Sequence, residues 1–270
     1  MSFYTSLNAI KNAQTDLNVV SNNIANSETN GFKRSTVTFA DVVAGTAFTN
    51  PRLIEGIGAK VDAISQNFKQ GAMDATGSSL DMAISGDGFF TIKSPTTGQT
   101  MYTRNGAFQM DSGGYVTDNQ GNHVQMYPTD AAGAVTSTTM ADGLVPITNP
   151  AGSEFAGLTV SENGNVAASY ADGTNTVIGK VTLATFLNPQ GLRQQGSSDW
   201  TATNISGLAN YGEPTNGQYG KLMSGYLERS NVEVSDELVG LIVAQRAYQA
   251  NAKAIDTATQ ATQAILNLRS

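Results

Sequence analysis

The chain has no cysteine, which excludes a disulfide framework and a thiolate metal centre. Histidine is almost as scarce: His123 stands alone in "QGNHVQMY". Without an HxxxH or HxH companion it reads as a surface or packing residue rather than a ligand. Charge is also thin. Asp, Glu, Lys and Arg make up 14% of the 270 residues, against roughly a quarter in an average soluble domain. The balance is acidic, at −7, which argues against nucleic acid and anionic membrane surfaces as partners. No apolar run approaches the roughly 18 residues of a membrane span. The first cation is Lys11, so the start lacks the basic region of a cleavable signal peptide, and none is expected.

Motifs for chemistry are missing as well. There is no Gly-x-Ser-x-Gly elbow. Gly86-Asp87-Gly88 is too short for a phosphate loop and no Lys-Ser/Thr follows it. The stretch from Asp118 to Asn122 lacks the ligand spacing and terminal glutamate of a calcium loop. No catalytic residue, cofactor, metal or small-molecule substrate is expected, and the polar residues read as structural.

Glycine and small polar residues fill the space instead, and they are unevenly spread. From Phe3 to Ile24 the spacing predicts an amphipathic helix. Phe3, Leu7, Ile10, Leu17 and Ile24 recur at steps of three and four, with Gln14 and Ser21 at the missing places. Ala13 and Val20 widen this stripe. Asn22, Asn23 and Asn26 are weak helix formers, and Asn30-Gly31 predicts the stop. The far end repeats the pattern through Val234, Leu238, Leu241, Tyr248, Ile255 and Leu266. Ser235 is the expected N-cap, with Asp236 and Glu237 in the first turn, where the helix dipole favours anions. This predicts a helix over 235–268, on the order of 50 Å long at roughly 1.5 Å per residue. Gln, Ser, Thr and Ala dilute both stripes, so neither helix is stable alone. The expected partners are each other and further copies of the chain.

Between the ends the text reads as short strands separated by Asn105-Gly106, Gly113-Gly114, Asn163-Gly164, Asp172-Gly173 and Asn216-Gly217. The fold class is therefore α+β. The expected division is a helical coiled-coil domain from residues 1–30 and 228–270, an extended connector over 31–70 and 210–227, and a discontinuous all-β domain over 71–209. Residues 127–157 are poor in apolar side chains and read as a long loop off the β body.

"SNNIANSETNGFKR" (21–34) resembles the N-terminal motif of the bacterial flagellar axial proteins, the rod, hook and hook-associated subunits. "LERSNVEVSDELVGLIVAQRAYQANAKAIDTATQATQAILNLR" resembles their shared C-terminal segment, and "MAISGDGFFTI" and "YTRNGAFQMDSGGYVTDNQGNHV" resemble their β-domain blocks. The resemblance implies paired terminal helices lining a tube, a connector, and an outer β domain. It implies self-assembly into a helical homopolymer and contacts with neighbouring rod, hook-cap and hook–filament junction proteins. It also implies passage through the flagellar type III export gate without a cleaved signal. "FADVV" resembles the gate-reading element of that family, which points to Phe39 and Val43. In the N-terminal motif, which also includes Phe32, Asn22, Asn23 and Asn26 are expected to bond backbone groups where subunits crowd, and Gly31 to end the helix and turn the chain outward. Lys33 and Arg34 follow where the chain leaves the core, and are expected either to pair with acidic residues of a neighbouring copy or to be solvated, the second being favoured.

Within the family, the start of the chain and "GKVTLATFLNPQGLRQQGSSDWTAT" lie closer to the hook subunit than to the distal rod subunit, whereas the missing inserted domain at 127–157 is rod-like. The expectation is a short hook subunit, with the distal rod as the alternative. A secreted carbohydrate-binding β protein is a remote third, disfavoured by a single tryptophan, Trp200, and 7% aromatics.

Overall fold

The computed structural model describes residues 2–44 and 55–267. Helix α1 (Ser2–Ala25) is followed by two long strands, β1 (Ser35–Ala44) and β2 (Glu55–Gln66). Then come β3 (Met73–Ala75), β4 (Met82–Ser85), β5 (Phe89–Lys93), β6 (Thr100–Thr103), β7 (Gln109–Met110), β8 (Val116–Thr117), β9 (His123–Pro128) and β10 (Ala141–Asp142). The β series continues with β11 (Phe155–Val160), β12 (Asn165–Tyr170), β13 (Asn175–Val181), β14 (Leu183–Thr185), β15 (Arg193–Gly196), β16 (Asp199–Thr201) and β17 (Asn210–Gly212). It closes with β18 (Lys221–Ser224) and β19 (Tyr226–Glu228), before α2 (Val234–Asn267).

The chain divides into two units. The terminal unit holds Met1–Ser27, Arg34–Asn67 and Val232–Ser270, and the β unit holds Glu28–Lys33 and Phe68–Asn231. In the terminal unit α1 packs on α2 and on β2. The last turns of α1 meet the first turns of α2: Val20 Cγ2 lies 3.8 Å from where a side chain on Gly240 would begin. Its interior is thin and made of small residues, with Ala13, Val20 and Ala244 buried. Strands β1 and β2 form an antiparallel hairpin with register shifts at Thr38/Phe39 and Val42/Val43, and Asn12 Nδ2 donates to the Ala59 carbonyl at 2.8 Å.

In the β unit the strand path runs β11-β12-β13-β9-β5-β6-β16-β15, with every pair antiparallel. A main core gathers Met82, Ile84, Phe90, Ile92, Val124, Val181 and Leu183. A smaller aromatic core is centred on Trp200, whose ring meets Phe68 and Phe89 edge-on at 5.5 and 5.8 Å. Strands β18 and β19 return from the C-terminal side to pair with β4 and β3.

The structure differs from the sequence expectations at three places. Residues 31–70 do not form a bare connector, because β1 and β2 satisfy each other's backbone groups along their length. Residues 210–227 belong to the β unit through β17, β18 and β19. The excursion 127–157 is tied down by β10 on β9 and by bridges Thr129↔Val135 and Thr148↔Glu154, and it buries Val145 in the main core. Asn105-Gly106 separates β6 from β7 as expected, and a side chain at Gly106 would overlap the Met82 carbonyl, so close approach demands the glycine there.

Asp199 lies buried beside Trp200. Burial pushes its carboxyl up to about 7; a hydrogen bond from Thr103 opposes this and the nearby Asp118 adds to it. The folded chain therefore holds this proton more tightly than the unfolded chain. The resulting stabilisation is full below the ordinary carboxylate range and is lost as pH rises to about 7. Thermal melts of the wild type should move down between pH 5 and pH 8, and Asp199→Asn should flatten that slope; an unchanged slope in the variant would show that other groups set it.

Candidate assembly surface and its charge anchors

The dipeptide Lys33-Arg34 is split between the two units. In the β unit, Lys33 is fully buried, and its Nζ donates to Glu228 Oε1 at 2.6 Å and to the Lys69 carbonyl at 2.9 Å. Arg104 Nη1 reaches the other oxygen, Glu228 Oε2, at 3.1 Å, and Arg104 also lies over the Phe89 ring. The Gly71 N–H donates to Glu228 Oε1 at 2.8 Å. One carboxylate thus serves two buried cations and a backbone donor. Burial pulls the Lys33 ammonium below its usual range, against the attraction of Glu228 and with the repulsion of Arg104.

In the terminal unit, Arg34 Nε lies 2.5 Å from Glu237 Oε1. Glu237 is buried in the first turn of α2, and Asn23 Nδ2 donates to its other oxygen at 3.1 Å. Asn23 also joins α1 to the start of β1, donating to the Ser35 carbonyl and accepting from the Ser35 N–H. Burial, and then Glu237, raise the Asp16 carboxyl.

These contacts correct the expectation that Lys33 and Arg34 are solvated. Their partners are 195 and 203 residues away, so no local pattern announces them. Gly31 is not the helix end either, since α1 stops at Ala25. Its φ of +70° and a would-be Cβ only 2.5 Å from the Asn105 nitrogen explain the glycine, and its N–H donates to the Glu228 carbonyl. Phe32 is buried, Asn22 is exposed, and Asn26 Nδ2 donates to the Asn22 carbonyl. Ser235 lies inside α2 rather than capping it, because the helix begins at Val234.

Along the predicted stripes, Phe3 is exposed while Leu7, Ile10, Leu17 and Ile24 are half-buried. On α2, Leu238 is exposed, Leu241 and Ile255 are half-buried, and Tyr248 sits at 36% exposure. The side chain of Leu266 lies outside the described residues. Val239, Ile242 and Val243 are exposed apolar neighbours that the strict stripe passes over. Phe39 and Val43 are both exposed on β1, opposite Val61 and Gly56.

No group of three or more acidic or histidine side chains positioned for a metal occurs among the described residues. His123 stacks on Tyr115 at 4.3 Å, with Nδ1 3.2 Å from Asp142. Asp118 accepts from the Gln120 and Asn122 N–H groups as a turn residue.

Removing the anion from the buried cluster leaves two cations facing each other without compensation. Glu228→Gln should cost about 3–5 kcal/mol, read by urea unfolding followed through Trp200 emission. Lys33→Met should cost far less, because the Arg104–Glu228 pair remains. Equal losses in the two variants would show that packing, not charge, decides.

Comparison with known proteins matches three stretches of the chain. Residues 3–33 match the family of flagella basal body rod proteins, and residues 83–168 match the flagellar hook protein FlgE/F/G D1 domain. Residues 223–268 match the flagellar basal body rod FlgEFG protein C-terminal family. The chain is 36% identical to the flagellar basal-body rod protein FlgG of Bacillus subtilis, over 99% of this chain and 98% of that one. It is 28% identical to the flagellar hook protein FlgE of Salmonella typhimurium, over the whole of both chains. Among solved structures, the hook protein FlgE2 of Helicobacter pylori matches 72% of this chain and 43% of its own at 13% identity, with a TM-score of 0.25. With both termini and the β unit accounted for, this chain belongs to the family of bacterial flagellar axial proteins, the rod and hook subunits.

Proposed function

We propose that the chain is a non-enzymatic structural subunit that polymerises into a helical tube, and that this tube is the flagellar hook, a flexible joint carrying motor torque to the filament. The observation that carries the polymeric reading is the unequal burial of the terminal unit. It buries mainly small side chains, while Phe3, Tyr4, Leu238, Val239, Ile242 and Val243 stay exposed on its helices. An exposed apolar group such as that on the first turns of α2 marks an interaction site. In the proposal α1 and α2 pair as a coiled coil, and copies of the pair cover each other's apolar faces along the tube wall. Neighbouring axial proteins meet the same faces at the two ends of the polymer. Subunits travel through the flagellar type III exporter, and Phe39 and Val43 are exposed where its gate could read them.

The hook assignment is supported by the hook-like start of the chain and by full-length similarity to a hook protein. The distal rod is a second reading, favoured by one specific observation. The alignment with the rod protein runs over 280 residues, close to this chain's own length, while that with the hook protein runs over 411 and so leaves a large block unmatched.

Deleting the gene separates the two readings. In the hook reading, purified basal bodies keep a complete rod and end without a hook; in the rod reading, the rod itself is cut short. Leu238→Asp should leave a folded, exported monomer, since that side chain is already 46% exposed, yet abolish tube growth by setting an unpaired charge into every copy of the contact. Normal swimming of that variant would remove the helical faces from the assembly surface. Phe39→Ala with Val43→Ala should lower secretion while Trp200 emission reports an intact β unit, and unchanged secretion would discard the gate reading.

A further inference from the structure

In the β unit the exposed large aliphatic side chains fall into two groups among the described residues. The first is Leu187, Ile205 and Leu208, exposed at 93%, 73% and 89%. They sit on the loops 186–192 and 202–209, which the Asn188 side chain and N–H tie together through the Ile205 and Ser206 carbonyls. The second is Leu144 and Ile147, held on either side of the buried Val145. That segment is fixed by the Tyr115↔Leu144 bridge and by the Phe155 N–H donating to the Ile147 carbonyl.

The two groups flank opposite ends of one strand path. Loop 186–192 runs into β15, the last strand on one side, and Ile147 adjoins the first residue of β11, the last strand on the other. Both segments are also free of charge: 186–192, 202–209 and 143–153 contain no Asp, Glu, Lys or Arg. For a chain of net charge −7 this matters in a particular way. A basic partner would be met by the acidic surface, whereas another copy carries the same charge and is repelled except where charge is absent.

We propose that the β unit carries its own contact between copies, in which the Leu187/Ile205/Leu208 patch of one chain docks on the Leu144/Ile147 patch of the next. The inference rests on the polymeric reading above. Because the two patches differ, the contact is heterologous and repeats head to tail rather than closing into a dimer. It is made by side chains and not by strand addition, since β11 and β15 each carry a register shift in their only strand pairing on the path, and bulged edges resist pairing.

The absence of natural cysteine makes the test direct. The full-length chain carrying Leu208→Cys and Ile147→Cys is assembled into tubes and oxidised with diamide. A ladder of disulfide-linked oligomers is expected from the double variant, and none beyond monomer from either single variant. Dimers from Leu208→Cys alone would mean that the patch meets its own copy, which overturns the head-to-tail contact. Tubes that form without a ladder overturn this contact and leave the helical assembly intact. A wild-type chain that stays monomeric at every concentration overturns both.

Discussion

The β unit is organised around one carboxylate. Glu228 is held among Lys33, Arg104 and the Gly71 N–H with no exposure to solvent. Buried charges of this kind are costly unless every one is paired, so the arrangement is stable only when all its members arrive together. They come from the N-terminal motif, from the middle of the sheet and from the end of β19. Strands β18 and β19 bring the C-terminal side to the place where β3 and β4 wait, and the Gly31 N–H donates to the Glu228 carbonyl. The chain's entry to and exit from the β unit are thereby fixed side by side.

The terminal unit is governed by the opposite shortage. It lacks large side chains to bury within itself, and its centre is Ala13, Val20 and Ala244 with the polar pair Asn23 and Glu237. Small residues let the two helices approach closely, but burying them removes little apolar area from water. The larger aliphatics remain on the outside of α2. A helix pair built this way gains its stability from what covers it. In the proposed homopolymer every unpaired charge would be repeated in every copy, and Arg34–Glu237 and Lys33–Glu228 settle that internally.

Much of this was legible because it is periodic. The 3–4 spacing locates α1 and α2 to within a residue or two, and the turn glycines separate the short strands. The parts that escaped are those whose cause lies far away along the chain. Strand β1 alternates well enough in "STVTFADVVA", yet its partner β2 lies beyond a further ten residues, so a hairpin looked like a connector. Val145 sits in a stretch otherwise poor in apolar side chains, and only its insertion into the main core shows that the 127–157 excursion is anchored. Glu228 carries no local signal at all. The expected division placed it at the start of the helical end, 228–270, and only the strand it closes and the two cations that it meets make it central. The helical stripes were legible as patterns, but a stripe does not say which of its residues face the neighbouring helix and which are left for another copy.

A joint and a shaft differ in how their layers share load, and the distribution of apolar surface bears on that difference. In the proposed polymer the terminal unit offers a broad face along α2, continuous over several turns, whose contacts are lost together or not at all. The β unit offers two small aliphatic groups on charge-free loops. Contacts of that size contribute modestly, are non-directional, and lack ion pairs that would fix one register. Such a pairing can shift between near-equal arrangements as a protofilament shortens and lengthens, while the terminal faces hold the wall closed. A stiff shaft would gain from charged or hydrogen-bonded contacts at the same place, because those penalise displacement. In the hook reading proposed above, the absence of any charge in 143–153, 186–192 and 202–209 leaves that pairing without an ion pair to fix one register.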